Sequence, residues 1–174
     1  MTEEETIFHY RQITDNFIEK YKNELDWNLL SEYRILDEEF IDKYSDMVNW
    51  KIISKCQKLS EEFIEKHSDK VIWAWMSRYQ KLSEEFIKKH SGRVIWGEIS
   101  CSQQLSEEFI EKYQNQLNWD YISSSQELSE QFIEKYSNKV NWLYISKYQK
   151  LSEEFIKKYK EKINFSFFLP KCKN

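Results

Sequence analysis

Trp27, Trp50, Trp73, Trp96, Trp119 and Trp142 stand 23 residues apart without a slip, and Phe165 takes the next place. Phe17, Phe40, Phe63, Phe86, Phe109, Phe132 and Phe155 keep the same interval, as does the series Ile13, Leu36, Leu59, Leu82, Leu105, Leu128, Leu151. A fixed period of this length means that one small unit is stacked on copies of itself, each burying an apolar face that it cannot bury alone. The units run 13–35, 36–58, 59–81, 82–104, 105–127 and 128–150, with a capping repeat at 151–174. Residues 1–12 end in IFHYRQ, which matches the unit tail ISKYQK, so a half-repeat opens a single array spanning 1–174.

Each unit reads as two short helices. In LSEEFIEKH (59–67), Ser60 suits an N-cap, because its hydroxyl can accept from a first-turn N–H. Leu59 and Ile64 take the positions of a hydrophobic staple. Glu62 and Lys66 have the spacing and orientation of a helical ion pair. Phe63, Ile64 and His67 share an inward face. The second helix opens at an Asn-Trp pair such as Asn49-Trp50, and Trp50, Ile53, Ser54 and Gln57 follow one face. Only two glycines and one proline occur in 174 residues, and strand or tight-turn signals are missing. The expected fold is an all-α solenoid of seven helix-turn-helix repeats.

Seven copies in one chain allow framework to be separated from the rest. The residue two beyond the repeated Trp reads Leu29, Ile52, Trp75, Glu98, Tyr121, Tyr144 and Phe167. On a helix it points about 200° from the Trp, where a polar residue is the norm. Beside it run Asn28, Lys51, Ala74, Gly97, Asp120 and Leu143, and then Glu32, Lys55, Arg78, Cys101, Ser124 and Lys147. An apolar row with a varied polar rim has the composition of a protein-binding surface; a second layer of core would also be apolar. On the first reading Ile52, Lys55, Trp75, Arg78, Glu98, Tyr121, Tyr144 and Lys147 contact a protein or peptide partner.

Other classes find less support. Among 26 basic and 30 acidic residues the net charge is −4, without the basic excess of a nucleic-acid binder. No apolar run is long enough to span a membrane, and MTEEETIF lacks the basic and apolar regions of a secretory signal. Cys56, Cys101 and Cys172 have no metal-ligand spacing, and a reducing, intracellular setting is the simplest reading. His67 and His90 occupy one position in adjacent units but have no third ligand, so neither a metal nor a cofactor is expected. The serine row Ser31, Ser54, Ser77, Ser100, Ser123, Ser146 has no accompanying base and reads as small residues at a helix contact. The acid row Glu38 to Glu153, accompanied by lysines, reads as a solvated ion-pair face. No catalytic set is present.

Alternatives to a peptide partner are a nucleotide or other small anion held between repeats by Arg78 and Arg93, or single-stranded RNA read one base per unit. The last unit ends INFSFFLPKCKN, whose apolar residues suggest either a folded-back cap or an end-to-end homodimer. The consensus LSEEFIEKY…VNWxxISxYQK resembles short tandem repeats in uncharacterised proteins of large DNA viruses and AT-rich microbial genomes, over Ile7 to about Phe168. That resemblance implies a host factor as partner and a cytoplasmic site of action; it brings no catalytic or ligand residues.

Overall fold

The computed structural model describes residues 2–168. Among them are fourteen α-helices, one short 3₁₀ turn and no strand. The helices follow the 23-residue period, and the chain is a helical-repeat solenoid. Helix α1 (Glu3–Gln12) is the half-repeat. It starts earlier than IFHYRQ, because Thr2 and Glu5 form a capping box across its first turn. Seven A helices follow: α2 (Asp15–Tyr21), α4 (Glu38–Lys43), α6 (Glu61–Lys66), α8 (Glu84–Lys89), α10 (Glu107–Lys112), α12 (Glu130–Lys135) and α14 (Glu153–Lys158). They alternate with the B helices α3 (Trp27–Tyr33), α5 (Trp50–Cys56), α7 (Trp73–Tyr79), α9 (Trp96–Ser102), α11 (Trp119–Ser125) and α13 (Trp142–Tyr148). The seventh B position is only the turn Phe165–Phe167, and Leu169, Pro170 and Cys172 lie outside the described residues.

By packing, the chain forms two compact units, Met1–Leu82 and Ser83–Asn174. In the first, successive B helices α1, α3, α5 and α7 touch in order; in the second, α9, α11, α13 and the Phe165–Phe167 turn do so. In each of the first six repeats two apolar side chains are wholly enclosed: Ile18, Ile41 and Ile64 with Leu30, Ile53 and Met76 in the first unit, and Ile87, Ile110 and Ile133 with Ile99, Ile122 and Ile145 in the second. Each such side chain contributes roughly 1.5–3 kcal/mol by leaving water. Helices of six or seven residues do not persist alone; these two rows hold them together with the buried leucine, valine and phenylalanine rows such as Leu59, Val71 and Phe63.

The repeated tryptophans are not the centre of that core. All six are half-buried, and their indole N–H groups donate to a carbonyl five residues back, Trp50 to Ser45 (2.7 Å) and Trp119 to Gln114 (3.0 Å). Their rings pack on the next repeat: Trp50 on Phe63 and His67, Trp119 on Phe132 and Tyr136. Lys70 and Lys139 cover the same indoles. The framework Trp therefore closes the A–B loop and seals its flank.

Polar joints link repeat to repeat. Buried Gln80 accepts from the Leu59 N–H (3.0 Å) and donates to the carbonyls of Ser54 and Gln57 (3.2 and 2.7 Å). Gln57 serves Leu36, Ser31 and Arg34 in the same way, as Gln126 and Gln149 do in the second unit. The serine row is buried and hydrogen-bonded rather than merely small: Ser54 Oγ accepts from the Ile72 N–H (3.0 Å) and Ser123 Oγ from Asn141 (2.9 Å). The acid row reaches across to the next repeat. Glu38 accepts from both the N–H and hydroxyl of Ser60, and Glu107 from those of Ser129. Lys66 likewise bonds Asp42 of the preceding repeat (2.8 Å), not Glu62.

N-caps follow the reading above, with Ser60 accepting from the Phe63 N–H and Asn49 from those of Lys51 and Ile52. Ile72 and Ile95 stand where other repeats have Asn or Asp, and α7 and α9 have no side-chain cap. Ile72→Asn should supply one and raise stability by about 0.5–1 kcal/mol, measured as a higher urea midpoint. Gln80→Leu should instead cost about 3 kcal/mol, since it strands one N–H and two carbonyls in a buried site.

Candidate functional site

In the first unit, B-helix positions that vary between repeats line a groove. Leu30, Ile53 and Met76 are turned into the core, which leaves the residues just before them to line the outer side. In the first unit this side holds a groove of about 480 Å³ lined by Asn28, Glu32, Asn49, Lys51, Ile52, Lys55, Cys56 and Trp75. Ile52, Lys55 and Trp75 are thus brought together although Lys55 and Trp75 are 20 residues apart in the chain. The offset between stacked repeats does this: the middle of α7 comes beside the last turn of α5.

Trp75 is half-buried. Its ring packs on Tyr79 with centroids 5.6 Å apart, and the Lys55 ammonium lies 5.9 Å from the ring centre. Asn49 caps α5 through its carboxamide oxygen and donates from its Nδ2 to Asn28 (2.6 Å), closing one end of the groove. Burial raises the Cys56 thiol above its ordinary pKa, with Lys55 opposing the shift. Asn49, Cys56 and Tyr79 were not among the expected contacts. The position of Cys56 and Tyr79 carried a signal, since it varies between repeats as Tyr33, Cys56, Tyr79, Ser102, Ser125, Tyr148.

The remaining expected residues are distributed as follows. Arg78 is exposed on α7, its guanidinium over Tyr79. In the second unit Glu98 is half-buried on α9, Tyr121 is 45% exposed on α11, and Tyr144 is half-buried on α13 against Tyr148. Lys147 lies over Tyr148 and within 5.9 Å of the Phe167 ring. Neither the Tyr121 nor the Tyr144 hydroxyl has a hydrogen-bond partner among the described residues, and Leu143 and Tyr148 are about half exposed beside them. The row is therefore neither closed core nor fully free surface. It is a set of partly covered rings with open edges.

The A-helix side is chemically different. A smaller hollow of about 260 Å³ is walled by Asp15, Asp37, Glu39, Phe40, Lys43 and Tyr44. Lys43, Tyr44 and Lys22 all bond Glu19 and hold its carboxyl down at about 2. Three carboxylates and a lysine already engaged elsewhere do not welcome an anion. His67 bonds Asp42 (3.0 Å) and packs on Phe63 and Trp50, taking the place that Tyr44 takes against Glu19, Phe40 and Trp27. Among the described residues no three His, Cys, Asp or Glu side chains converge as a metal site would require, and no helix is long and apolar enough to cross a membrane. Phe165, Phe167 and Phe168 are all exposed.

The two tryptophans of α7 differ in what they do, and their truncation should differ accordingly. Trp73→Ala removes an indole that bonds the Ser68 carbonyl and should cost about 3 kcal/mol of stability; Trp75→Ala should cost about 1 kcal/mol. Chemical denaturation of both variants checks this, and equal losses would make Trp75 framework. Searches against protein-family models, curated proteins and solved structures returned no match to this chain.

Proposed function

We propose that the chain is a non-enzymatic repeat scaffold that holds a protein or peptide partner on its helix-B face. The observation that supports this most directly is the groove where Ile52, Lys55 and Trp75 meet. Its volume lies in the range of small-ligand pockets, and apart from the cap Asn49 it is built from positions that the repeat framework leaves free to vary. The polar joints and the isoleucine rows make a constant frame. The B-helix exterior changes residue by residue upon it, as is usual when repeat proteins read extended partners. Aromatic rings with open edges beside charged groups are the composition in which binding energy concentrates. Tyr121, Tyr144 and Lys147 would extend the same kind of contact on the second unit, with Glu98 and Arg78 setting charge preference. The free thiols of Cys56 and Cys101 suit a reducing compartment, so we place this role inside a cell.

A phage-displayed library of random twelve-residue peptides, panned on the wild-type chain and on Trp75→Ala, tests the reading. Peptides should be enriched on the wild type, and a synthetic copy of the best should bind Trp75→Ala roughly 5- to 30-fold more weakly, corresponding to about 1–2 kcal/mol. Equal binding to both proteins would move the partner off this face.

A further inference from the structure

The groove between α3, α5 and α7 carries a charge pattern that its surroundings do not share. Lys51 and Lys55 line it against one acid, Glu32, and Lys58 follows in the loop; all four are exposed. Further along the same face of this unit come Arg78 and Lys81, also exposed. At the equivalent places in the second unit stand Gly97, Asp120 and Leu143, then Cys101, Ser124 and Lys147, then Gln104, Glu127 and Lys150. The basic character therefore belongs to the Met1–Leu82 unit, inside a chain of net charge −4.

Lys51, Lys55 and Lys58 also differ from the cations on the A-helix side. On the A-helix side of the same unit, Lys43 bonds Glu19 (2.8 Å), Lys66 bonds Asp42 (2.8 Å) and Lys70 bonds Asp46 (3.1 Å). Lys51, Lys55 and Lys58 have no carboxylate within ion-pair distance among the described residues. Lys51 and Lys55 stand four apart on α5, so two like charges share one face and disfavour each other. Lys55 rests instead over the Trp75 ring. A carboxylate entering the groove would relieve that repulsion and gain charge-assisted hydrogen bonds, while the lysine stems and Ile52 stay available for apolar contact.

We infer that the occupant of this groove is an acidic peptide segment bearing an aromatic or branched aliphatic anchor, an assignment that rests on the peptide-scaffold reading above. The anchor seats against Ile52, Cys56 and the edge of Trp75, and flanking Asp or Glu side chains meet Lys51 and Lys55. RNA fits less well, although it too is anionic. A nucleobase stacked on Trp75 would have to displace Tyr79 or the Lys55 ammonium from the ring.

The peptide library supplies the test, joined by a Lys51→Glu/Lys55→Glu variant, a Lys51→Gln/Lys55→Gln variant and a fluorescent twelve-nucleotide oligouridylate. Acidic peptides containing Phe, Trp, Leu or Ile should be enriched on the wild type. A synthetic copy should bind the charge-reversed protein at least about tenfold more weakly and the Gln variant to an intermediate degree, with the melting temperatures of both variants within a few degrees of wild type. Neutral or basic peptides that depend on Trp75 would overturn the acidic assignment and leave the scaffold reading standing. Absence of any Trp75-dependent peptide would overturn both. Oligouridylate binding that is lost in the charge-reversed protein, without peptide enrichment, would reassign the groove to RNA.

Discussion

The buried glutamine that ends a B helix makes three hydrogen bonds, two to carbonyls of the preceding repeat and one to the N–H of the residue that opens its own. Gln80 satisfies an N–H and two carbonyls at the turn from α5 to α6, where a chain of such short helices would otherwise leave its backbone unpaired away from water. Around that joint the rest is arranged. Ser54 meets the N–H at the start of the next B helix, Glu38 holds the next N-cap serine, and the isoleucine rows fill the space between. Helix propensity contributes little in elements of six or seven residues. Side chains of neighbouring repeats finish each helix, so the local structure here is largely a product of stacking.

That arrangement frees the outer side of the B helices. Of seven residues in α5, Ile53 and Ser54 are enclosed and Trp50 is committed to the loop and to the next repeat's rings. Lys51, Ile52, Lys55 and Cys56 carry no structural duty of comparable weight, and the groove is made from all four. A site on rigid helices holds its side chains in place better than one on loops. The two-tryptophan stretch of α7 shows the division within one helix, where Trp73 ties the loop and Trp75 faces the groove.

Much of the fold was legible because it is written seven times. The period marks the repeats, Ser60 and Asn49 mark helix starts, and the scarcity of glycine and proline argues against β structure. What the isolated sequence does not show is which neighbour a polar side chain uses. Glu62 and Lys66 look like a helical pair, yet Lys66 reaches Asp42, because a residue one repeat away is as near as one a turn away. For the same reason the serine row resembles simple spacers and the glutamines an ordinary helix face. The half-burial of the tryptophans was also hidden, since large size and strict repetition usually mean core. At the site, repeat-to-repeat variation picks out Ile52, Lys55 and Trp75 individually. Their meeting, and the part played by Asn49 and Cys56, needs the offset between α3, α5 and α7.

The glutamine joint has a direction. The side chain ends the later repeat, while the two carbonyls it serves lie at the end of the earlier one, so within a compact unit the end of a B helix is completed only by its successor. A chain emerging from its N-terminus therefore closes one joint at a time, and within each compact unit only the most recent repeat is left incomplete. Misregistered stacking is penalised at once, because a slip of even one residue would present Lys58 or Cys56 where the Gln57 carboxamide must reach Ser31, Arg34 and Leu36. Near-identical neighbours are prone to pair out of order; the joint cannot tell one neighbour from another, but it fixes the register in which any two of them stack.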